Sequence, residues 1–161
     1  IAGAYMVLPT PGFTLFPHPT LFRSKVAVIG GGLVGTETAL DLAENGHNVT
    51  VVEMLPQIMK DVAATDFLVY SERIAKTDMK VLASTRLEEV TDSGVMVSNK
   101  KQGTFAIEAD TVILALGFRS CQDLYDELQA AGKEVYLVGD AVKPGKIMDA
   151  IHTAYRVGVR I

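Results

Sequence analysis

The sequence predicts an α/β fold with a Rossmann-like parallel sheet, βαβ units and an inserted β-meander. Apolar runs at residues 26–29, 49–52 and 111–116 are continuous, as strands buried on both faces of a parallel sheet should be. A glycine-rich turn and a helical pattern separate the first two runs. Short segments divided by turn sequences precede the third run, and they favour an antiparallel meander.

The first βαβ unit begins with the strand at 26–29 and continues as a helix to about Asn45. The inner face of this helix is expected at Ala39, Leu40 and Ala43. Gly46 stands where a left-handed helix terminator is expected. The strand at 49–52 follows so closely that the two strands must be parallel.

The following elements are a second helix, a short strand and the meander. The helix is predicted at about 62–76, with Phe67, Ser71 and Ile74 on one side, and the strand at 80–83. The meander segments are expected at 86–90, 94–98 and 104–108. Beyond the buried strand at 111–116, the pattern predicts a helix at 123–131, a strand at 135–138 and a final helix from Ile147.

These elements suggest three regions. Residues 1–24 carry closely spaced prolines at 9, 11, 17 and 19 without strand or helix periodicity, which predicts extended coil, a linker or a non-native extension. Residues 25–118 are expected to form an NAD(P)H-binding Rossmann domain. Residues 119–161 are expected to form a C-terminal segment that completes an FAD-binding domain.

Composition excludes several classes of function. Hydrophobic residues make up 48% and charged residues 21%, as in ordinary globular proteins. The net charge of −4 gives no reason to expect nucleic acid as a partner, and no apolar run reaches the roughly 20 residues that a bilayer requires. The single cysteine, Cys121, cannot form an internal disulfide or a Cys-x-x-Cys pair, and no metal site is expected. A reducing, cytoplasmic compartment fits this cysteine usage.

The glycine-rich turn is the first candidate site. Gly30, Gly32 and Gly35 have the G-x-G-x-x-G spacing between a strand and a helix. Gly30 would allow the tight turn, Gly32 the approach of a pyrophosphate and Gly35 the packing of helix on strand. The amides of Leu33 and Val34, at the helix N-terminus, are the expected donors to the pyrophosphate. The alternative is a glycine-rich turn that binds nothing.

Glu53 follows the second strand about 20 residues after the turn, where an acid reads the ribose of a dinucleotide. A carboxylate accepts both ribose hydroxyls and repels a 2′-phosphate. Since no arginine lies near Glu53 in the sequence, NADH is favoured over NADPH. The alternative interpretation of Glu53 is a solvated acid at a strand end.

A second candidate corner follows the predicted strand at 135–138. Gly139 and Asp140 precede Pro144-Gly145-Lys146 and the final helix. Open α/β sheets bind ligands where the carboxyl end of a strand meets the start of a helix. The alternative is a capped loop in which Asp140 binds backbone amides.

Four segments carry a family resemblance. They are KVAVIGGGLVGTETA (25–39), VTVVE (49–53), DTVILALGFR (110–119) and VYLVGDAVKPGKIMDAIHTAY (135–155). From residue 25 onward the chain resembles the C-terminal region of enoate reductases and bacterial 2,4-dienoyl-CoA reductases, the iron–sulfur flavoenzymes related to old yellow enzyme. More widely, it is similar to the pyridine nucleotide-disulfide oxidoreductases.

The resemblance implies residue roles. It assigns the first three segments to NAD(P)H and the last to FAD. By the same resemblance, Glu37 lies near the nicotinamide end, with an exposed first-turn acid as the alternative. Gly117 permits close approach of the nicotinamide nucleotide, Asp140 binds the FAD ribityl chain, and Ile147 lies under the pyrimidine edge of the flavin.

The resemblance also implies a reaction. NADH delivers hydride to FAD, and upstream flavin and iron–sulfur domains of the same enzyme reduce an enoate- or enoyl-type C=C bond. No catalytic acid–base pair is expected in this chain, because the cofactors carry the chemistry. The family's earlier FAD-binding glycine motif is missing, so we expect a fragment that is inactive alone. The rival functions are a non-catalytic NAD-sensing regulatory module and a fragment of an NADH oxidase or disulfide reductase.

Overall fold

The computed structural model describes Met6–Pro9, residues 24–60 and residues 62–161. The chain forms two compact units, Ile1–Gly117 and Phe118–Ile161, here called unit 1 and unit 2. Unit 1 has the Rossmann-like α/β fold that the sequence predicts, with a parallel sheet and a separate meander. None of the described helices has the length and apolar character needed to cross a membrane.

Unit 1 is built on a five-stranded sheet with the order β1-β8-β2-β3-β4. The bounds of these strands are β1 Met6–Pro9, β2 Lys25–Ile29, β3 Asn48–Val52, β4 Lys80–Leu82 and β8 Thr111–Leu114. The four strands from β8 to β4 are parallel, and β1 pairs antiparallel with β8. Val28 of β2 lies between Val51 and Ile113 in register, so the centre of the sheet is a continuous row of branched apolar side chains.

Two different layers cover the sheet. On one face lie α1, Leu33–Glu44, and α2, Ala64–Ile74; on the other lies the meander of β5 Thr85–Thr91, β6 Gly94–Asn99 and β7 Gly103–Glu108. Ala39 of α1 belongs to the buried cluster formed by Val26, Val28, Val49 and Val51, with Ala43 packed against it. Val95 and Val97 of β6 pack with Ala27, Ile29 and Val112 on the opposite face. Both faces of the sheet are therefore buried, which explains its continuous apolar strands.

The expected inner face of α1 is confirmed, because Ala39 and Leu40 are fully buried. Gly46 has a φ of +90° directly after the helix, as a left-handed terminator requires. Phe67, Ser71 and Ile74 are half-buried in an otherwise mostly exposed α2, but this helix begins at Ala64 rather than at about 62.

The N-terminal prediction is wrong at Met6–Pro9, which form strand β1 rather than coil. By pairing with β8, β1 provides hydrogen-bond partners for the backbone groups on the outer edge of β8. An edge strand also tolerates Pro9, because proline lacks only the N–H that a central strand would need. The remaining prolines of the predicted linker lie outside the described residues.

Unit 2 contains α3, Asp123–Ala130, a 3₁₀ turn at Gly139–Ala141 and α4, Ile147–Gly158. The strand predicted at 135–138 is wrong, since these residues have no strand conformation. Val135 and Leu137 are half-buried while Tyr136 and Val138 are exposed, so the alternation of a strand is present. A strand also needs a neighbour to receive its hydrogen bonds, and the described sheets contain none for this segment.

Candidate functional site

A cavity of about 450 Å³ opens at the carboxyl ends of β2, β3 and β8. The chain runs from β2 through β3 to β4 on one side, whereas β8 lies on the other side of β2. Open α/β sheets bind ligands at this point, where the strand order reverses. The cavity is lined by Ile29, Gly30, Gly32, Val52, Glu53, Met54, Leu55, Thr85, Arg86, Leu87, Ala115, Leu116 and Gly117.

Two glycines of the turn are required by the protein's own packing. Gly30 has a φ of +107°, and a Cβ there would lie 2.3 Å from the Ala115 carbonyl oxygen. A Cβ on Gly35 would lie only 1.9 Å from the Gly30 carbonyl oxygen. A side chain at Gly30 would push the turn away from the end of β8, and one at Gly35 would push α1 away from the turn, so these glycines fix the bend and the close packing of the helix.

Gly32 differs from them, because a Cβ at this position would meet nothing within 4 Å. Its φ of −67° and ψ of −177° are allowed for any residue. The folded chain thus gives no steric reason for this glycine, and the position lies open beside the first turn of α1. The first amides of a helix, here those of Leu33 and Val34, have no carbonyl partner within the helix and carry a partial positive charge.

Glu53 is 8% exposed, and its carboxylate is bound on both oxygens. Oε2 accepts the Gly31 N–H at 2.7 Å, and Oε1 accepts the Leu55 N–H at 2.7 Å. Hydrogen bonds to an ionised acceptor are stronger than neutral ones. The alternative of a solvated strand-end acid is therefore wrong: Glu53 ties the end of β3 to the glycine turn. A carboxylate has about four acceptor positions, so two remain for a ligand in the cavity that it lines.

The glycine turn is also held by contacts that sequence reasoning missed. The Gly31 carbonyl accepts the Met59 N–H at 2.6 Å and the Thr36 hydroxyl at 3.2 Å. Met59 and Thr36 are both buried, and the Gly30 N–H donates to the Val52 carbonyl at 2.9 Å. The turn is therefore preorganised by the protein. Of these contacts, only that of Thr36 could have been suspected from the sequence, because a hydroxyl residue in the first turn of a helix can bind a nearby backbone carbonyl.

Glu37 does not line this cavity. It is exposed on α1 and accepts a hydrogen bond from the Tyr70 hydroxyl of α2. That hydrogen bond raises the pKa of Tyr70, because loss of the phenol proton would break the bond and leave a phenolate next to the Glu37 carboxylate. Arg73 of α2 binds Glu44 of α1 through two nitrogens, at 3.0 and 2.7 Å. Glu37 is thus part of a polar seam between the two helices.

The fold also brings an arginine to the cavity. Thr85 donates its N–H to the Glu53 carbonyl at 2.9 Å, so the start of β5 lies alongside the end of β3. Arg86, the next residue, lines the cavity together with Glu53. The sequence gives no sign of this, because more than thirty positions separate the two residues. At another wall of the cavity, Gly117 has a φ of +84° and open space around it.

The second candidate corner lies in unit 2. Oδ1 of Asp140 accepts the Gly145 N–H at 3.2 Å, which is the bond expected of a capped loop. The Gly139 N–H donates to the Thr153 hydroxyl at 2.8 Å, holding the turn against α4. Ile147, the first residue of α4, is 81% exposed. None of the residues 118–161, all of which are described, is buried.

A parallel sheet with a ligand-sized cavity at its switch point defines unit 1 as a Rossmann-like fold. The family profile described as pyridine nucleotide-disulphide oxidoreductase matches residues 12–158, and the chain belongs to this family. Members of the family are oxidoreductases that use NAD(P)H and FAD.

Known proteins with similar sequence or structure are much longer than this chain. A cinnamate reductase of Clostridium sporogenes is 39% identical over 85% of this chain and 21% of its own length. A metal reductase of Desulforamulus reducens is 34% identical over 86% of this chain and 25% of its own. The solved structure of 2-naphthoyl-CoA reductase with 2-naphthoyl-CoA has a TM-score of 0.69 and 34% identity over 89% of this chain and 22% of its own. The chain therefore spans about a quarter of such proteins or less.

Proposed function

We propose that unit 1 binds NADH and presents it for hydride transfer to a flavin. The observation that carries this proposal is the open position at Gly32, beside the first turn of α1 and in the same cavity as Glu53. A diphosphate needs free N–H donors that it can approach closely, and this position offers both. The neighbouring sugar needs acceptors for its hydroxyls, which the remaining lone pairs of Glu53 offer.

Each residue has a distinct part in this proposal. The amides of Gly32, Leu33 and Val34 donate to the pyrophosphate, while Gly30 and Gly35 hold the bend in shape. Glu53 binds the adenosine ribose and disfavours a 2′-phosphate. Gly117 leaves room for the nicotinamide nucleotide. Glu37 is assigned to the nicotinamide end by family resemblance alone, since its carboxylate binds the Tyr70 hydroxyl outside the cavity lining.

The corner in unit 2 fits the part of an FAD site that the resemblance implies. Gly139, Asp140 and the exposed Ile147 would face the ribityl chain and the pyrimidine edge of the flavin, and the N-terminus of α4 supplies a partial positive charge there. When bound, FAD supplies the acceptor for the hydride. Because unit 2 has no buried residue, we propose that it packs against further domains of the same enzyme, which complete the flavin site.

The proposed acceptor of the electrons is an activated C=C bond of the enoate or enoyl type. Cinnamate reductase and 2-naphthoyl-CoA reductase among the similar proteins support this choice. The final electron acceptor is a separate question from nucleotide binding, because a metal reductase is also 34% identical over 86% of this chain. The extension of the family match to residue 158 covers the unit 2 corner and favours a flavoenzyme over a purely NAD-sensing module.

The test is calorimetric titration of the 161-residue chain with NADH, comparing wild type with Glu53→Gln. Glutamine is close to glutamate in size and keeps one acceptor oxygen. Arginine at this buried position would instead remove both oxygens that accept the Gly31 and Leu55 amides and would introduce a large cation. Loss of the charged acceptor should weaken NADH binding about fivefold, which is the difference between a charged and a neutral hydrogen bond. Glu89→Gln, an exposed change on β5 outside the cavity lining, is the matched control and should bind as wild type. Absence of NADH binding by the folded wild-type chain, or equal affinities for wild type and Glu53→Gln, would contradict the proposal.

A further inference from the structure

We propose that Arg86 is a second residue that determines coenzyme specificity. Its guanidinium binds a 2′-phosphate on the adenosine ribose and lets the chain accept NADPH as well as NADH. The inference rests on the proposed nucleotide function. It differs from that proposal in assigning a role to a residue of the meander, outside the glycine turn and its acid. It also predicts weaker discrimination between the two coenzymes than Glu53 alone would give.

The position of Arg86 follows from a short backbone pairing. The Thr85 N–H donates to the Glu53 carbonyl, and the Ser84 N–H donates to the Leu55 carbonyl, both at 2.9 Å. These bonds hold the start of β5 against the segment that carries the ribose-binding acid. Thr85 is buried, whereas the side chain of Arg86 is exposed and lines the cavity. Arg86 and Glu53 therefore line the same cavity, and a group bound there by Glu53 lies in a space that Arg86 also borders.

The charge of Arg86 is available to a ligand. Within the described part of the chain, the side-chain ion pairs are Lys25 with Glu108 and Arg73 with Glu44. Glu53 uses its oxygens for the Gly31 and Leu55 amides and forms no ion pair with Arg86. The cavity consequently holds a carboxylate and a separate cation.

These two charges act in opposite directions on the coenzyme. The carboxylate accepts the 2′-hydroxyl of NADH and repels a 2′-phosphate. The guanidinium is planar, carries several N–H donors and binds phosphate oxygens in a bidentate manner. A 2′-phosphate turned toward Arg86 would gain a charge-assisted contact that offsets its repulsion by Glu53. Arg86 should therefore raise the affinity for NADPH and leave that for NADH nearly unchanged.

The experiment uses two probes that lack nicotinamide, ADP-ribose and 2′-phospho-ADP-ribose, titrated by calorimetry against the 161-residue chain. Arg86→Ala should weaken binding of the 2′-phosphorylated probe about tenfold and binding of ADP-ribose less than twofold. The loss should shrink at high salt, since a charge contact at an exposed residue is screened. Lys101→Ala removes an exposed cation at the β6–β7 turn, outside the cavity, and should change neither affinity.

The outcomes separate this inference from the proposed function. An Arg86→Ala variant with an unchanged ratio of the two affinities would overturn the role of Arg86 while leaving nucleotide binding intact. Equal weakening of both probes would also overturn it, because Arg86 would then contact a part common to both. If the folded wild-type chain binds neither probe, the nucleotide site itself is wrong and this inference fails with it.

Discussion

Alanine substitutions at Gly32 and Gly35 should separate nucleotide binding from stability, although the two residues lie only three positions apart. At Gly35 the new Cβ would lie 1.9 Å from the Gly30 carbonyl oxygen and 3.1 Å from the Ala115 Cβ. Backbone opposes backbone there, so α1 and the turn must move apart by about 1 Å. Overpacking of this kind costs about 1–3 kcal/mol, and the better helix propensity of alanine returns up to about 1 kcal/mol. We expect a net loss of about 1–2 kcal/mol in the free energy of unfolding.

At Gly32 the same methyl group enters open space, and the backbone angles suit alanine. Alanine is a poorer N-cap than glycine, but it also restricts the unfolded chain, and these effects nearly cancel to within about 0.5 kcal/mol. The methyl group would project where the pyrophosphate approaches the amides of α1. Losing one charge-assisted hydrogen bond costs about 1.5–3 kcal/mol, which is roughly a 10- to 150-fold loss of NADH affinity.

The assay for both variants pairs urea unfolding, followed by circular dichroism, with calorimetric titration of NADH. Gly35→Ala should shift the unfolding midpoint to lower urea, whereas Gly32→Ala should unfold close to wild type and bind NADH poorly. Wild-type NADH affinity in Gly32→Ala would contradict a nucleotide site at this position. Equal destabilisation of Gly32→Ala and Gly35→Ala would also contradict it, because the folded chain would then itself require glycine at position 32 and no ligand would be needed to explain that residue.

Two further predictions concern the contacts around the turn and between the helices. Thr36→Val keeps the shape of a fully buried residue but removes its hydroxyl bond to the Gly31 carbonyl, so urea unfolding should report a loss of about 1 kcal/mol; no change would show that this bond does not hold the turn. Tyr70→Phe tests the bond to Glu37, which raises the pKa of Tyr70 above its ordinary value near 10. The raised pKa means that the phenol stabilises the fold at neutral pH and loses this effect as the pH rises through that pKa, so the excess of wild type over the variant in urea midpoint should be smaller at pH 11 than at pH 8. An equal difference at both values would contradict this account.

The sequence reveals most of the sheet, because a strand buried on both faces must be apolar throughout. The runs around Val28, Val51 and Val112 show this pattern plainly, and the glycine spacing marks the start of α1. The roles of Gly30 and Gly35 in packing also follow from spacing alone, since a helix that starts directly after a buried strand must approach it closely.

Features that depend on distant partners were not predictable in this way. The alternation at residues 135–138 is that of a strand, but hydrogen bonding to a neighbour decides whether a strand forms. Arg86 reaches the cavity only because Thr85 pairs with Glu53, and Tyr70 reaches Glu37 only because α2 lies beside α1. Met59 is similar, since no periodicity indicates that its amide binds Gly31.

The double anchoring of the Glu53 carboxylate constrains how coenzyme preference could change during evolution or in a redesign. Replacing this acid by a residue without acceptors would leave the amides of Gly31 and Leu55 without their partners, so a gain in NADPH use there would come with a loss of folding stability. The exposed side chain of Arg86 does not anchor the glycine turn as Glu53 does. Divergence between relatives of this chain should therefore proceed more easily through the first strand of the meander than through the acid itself.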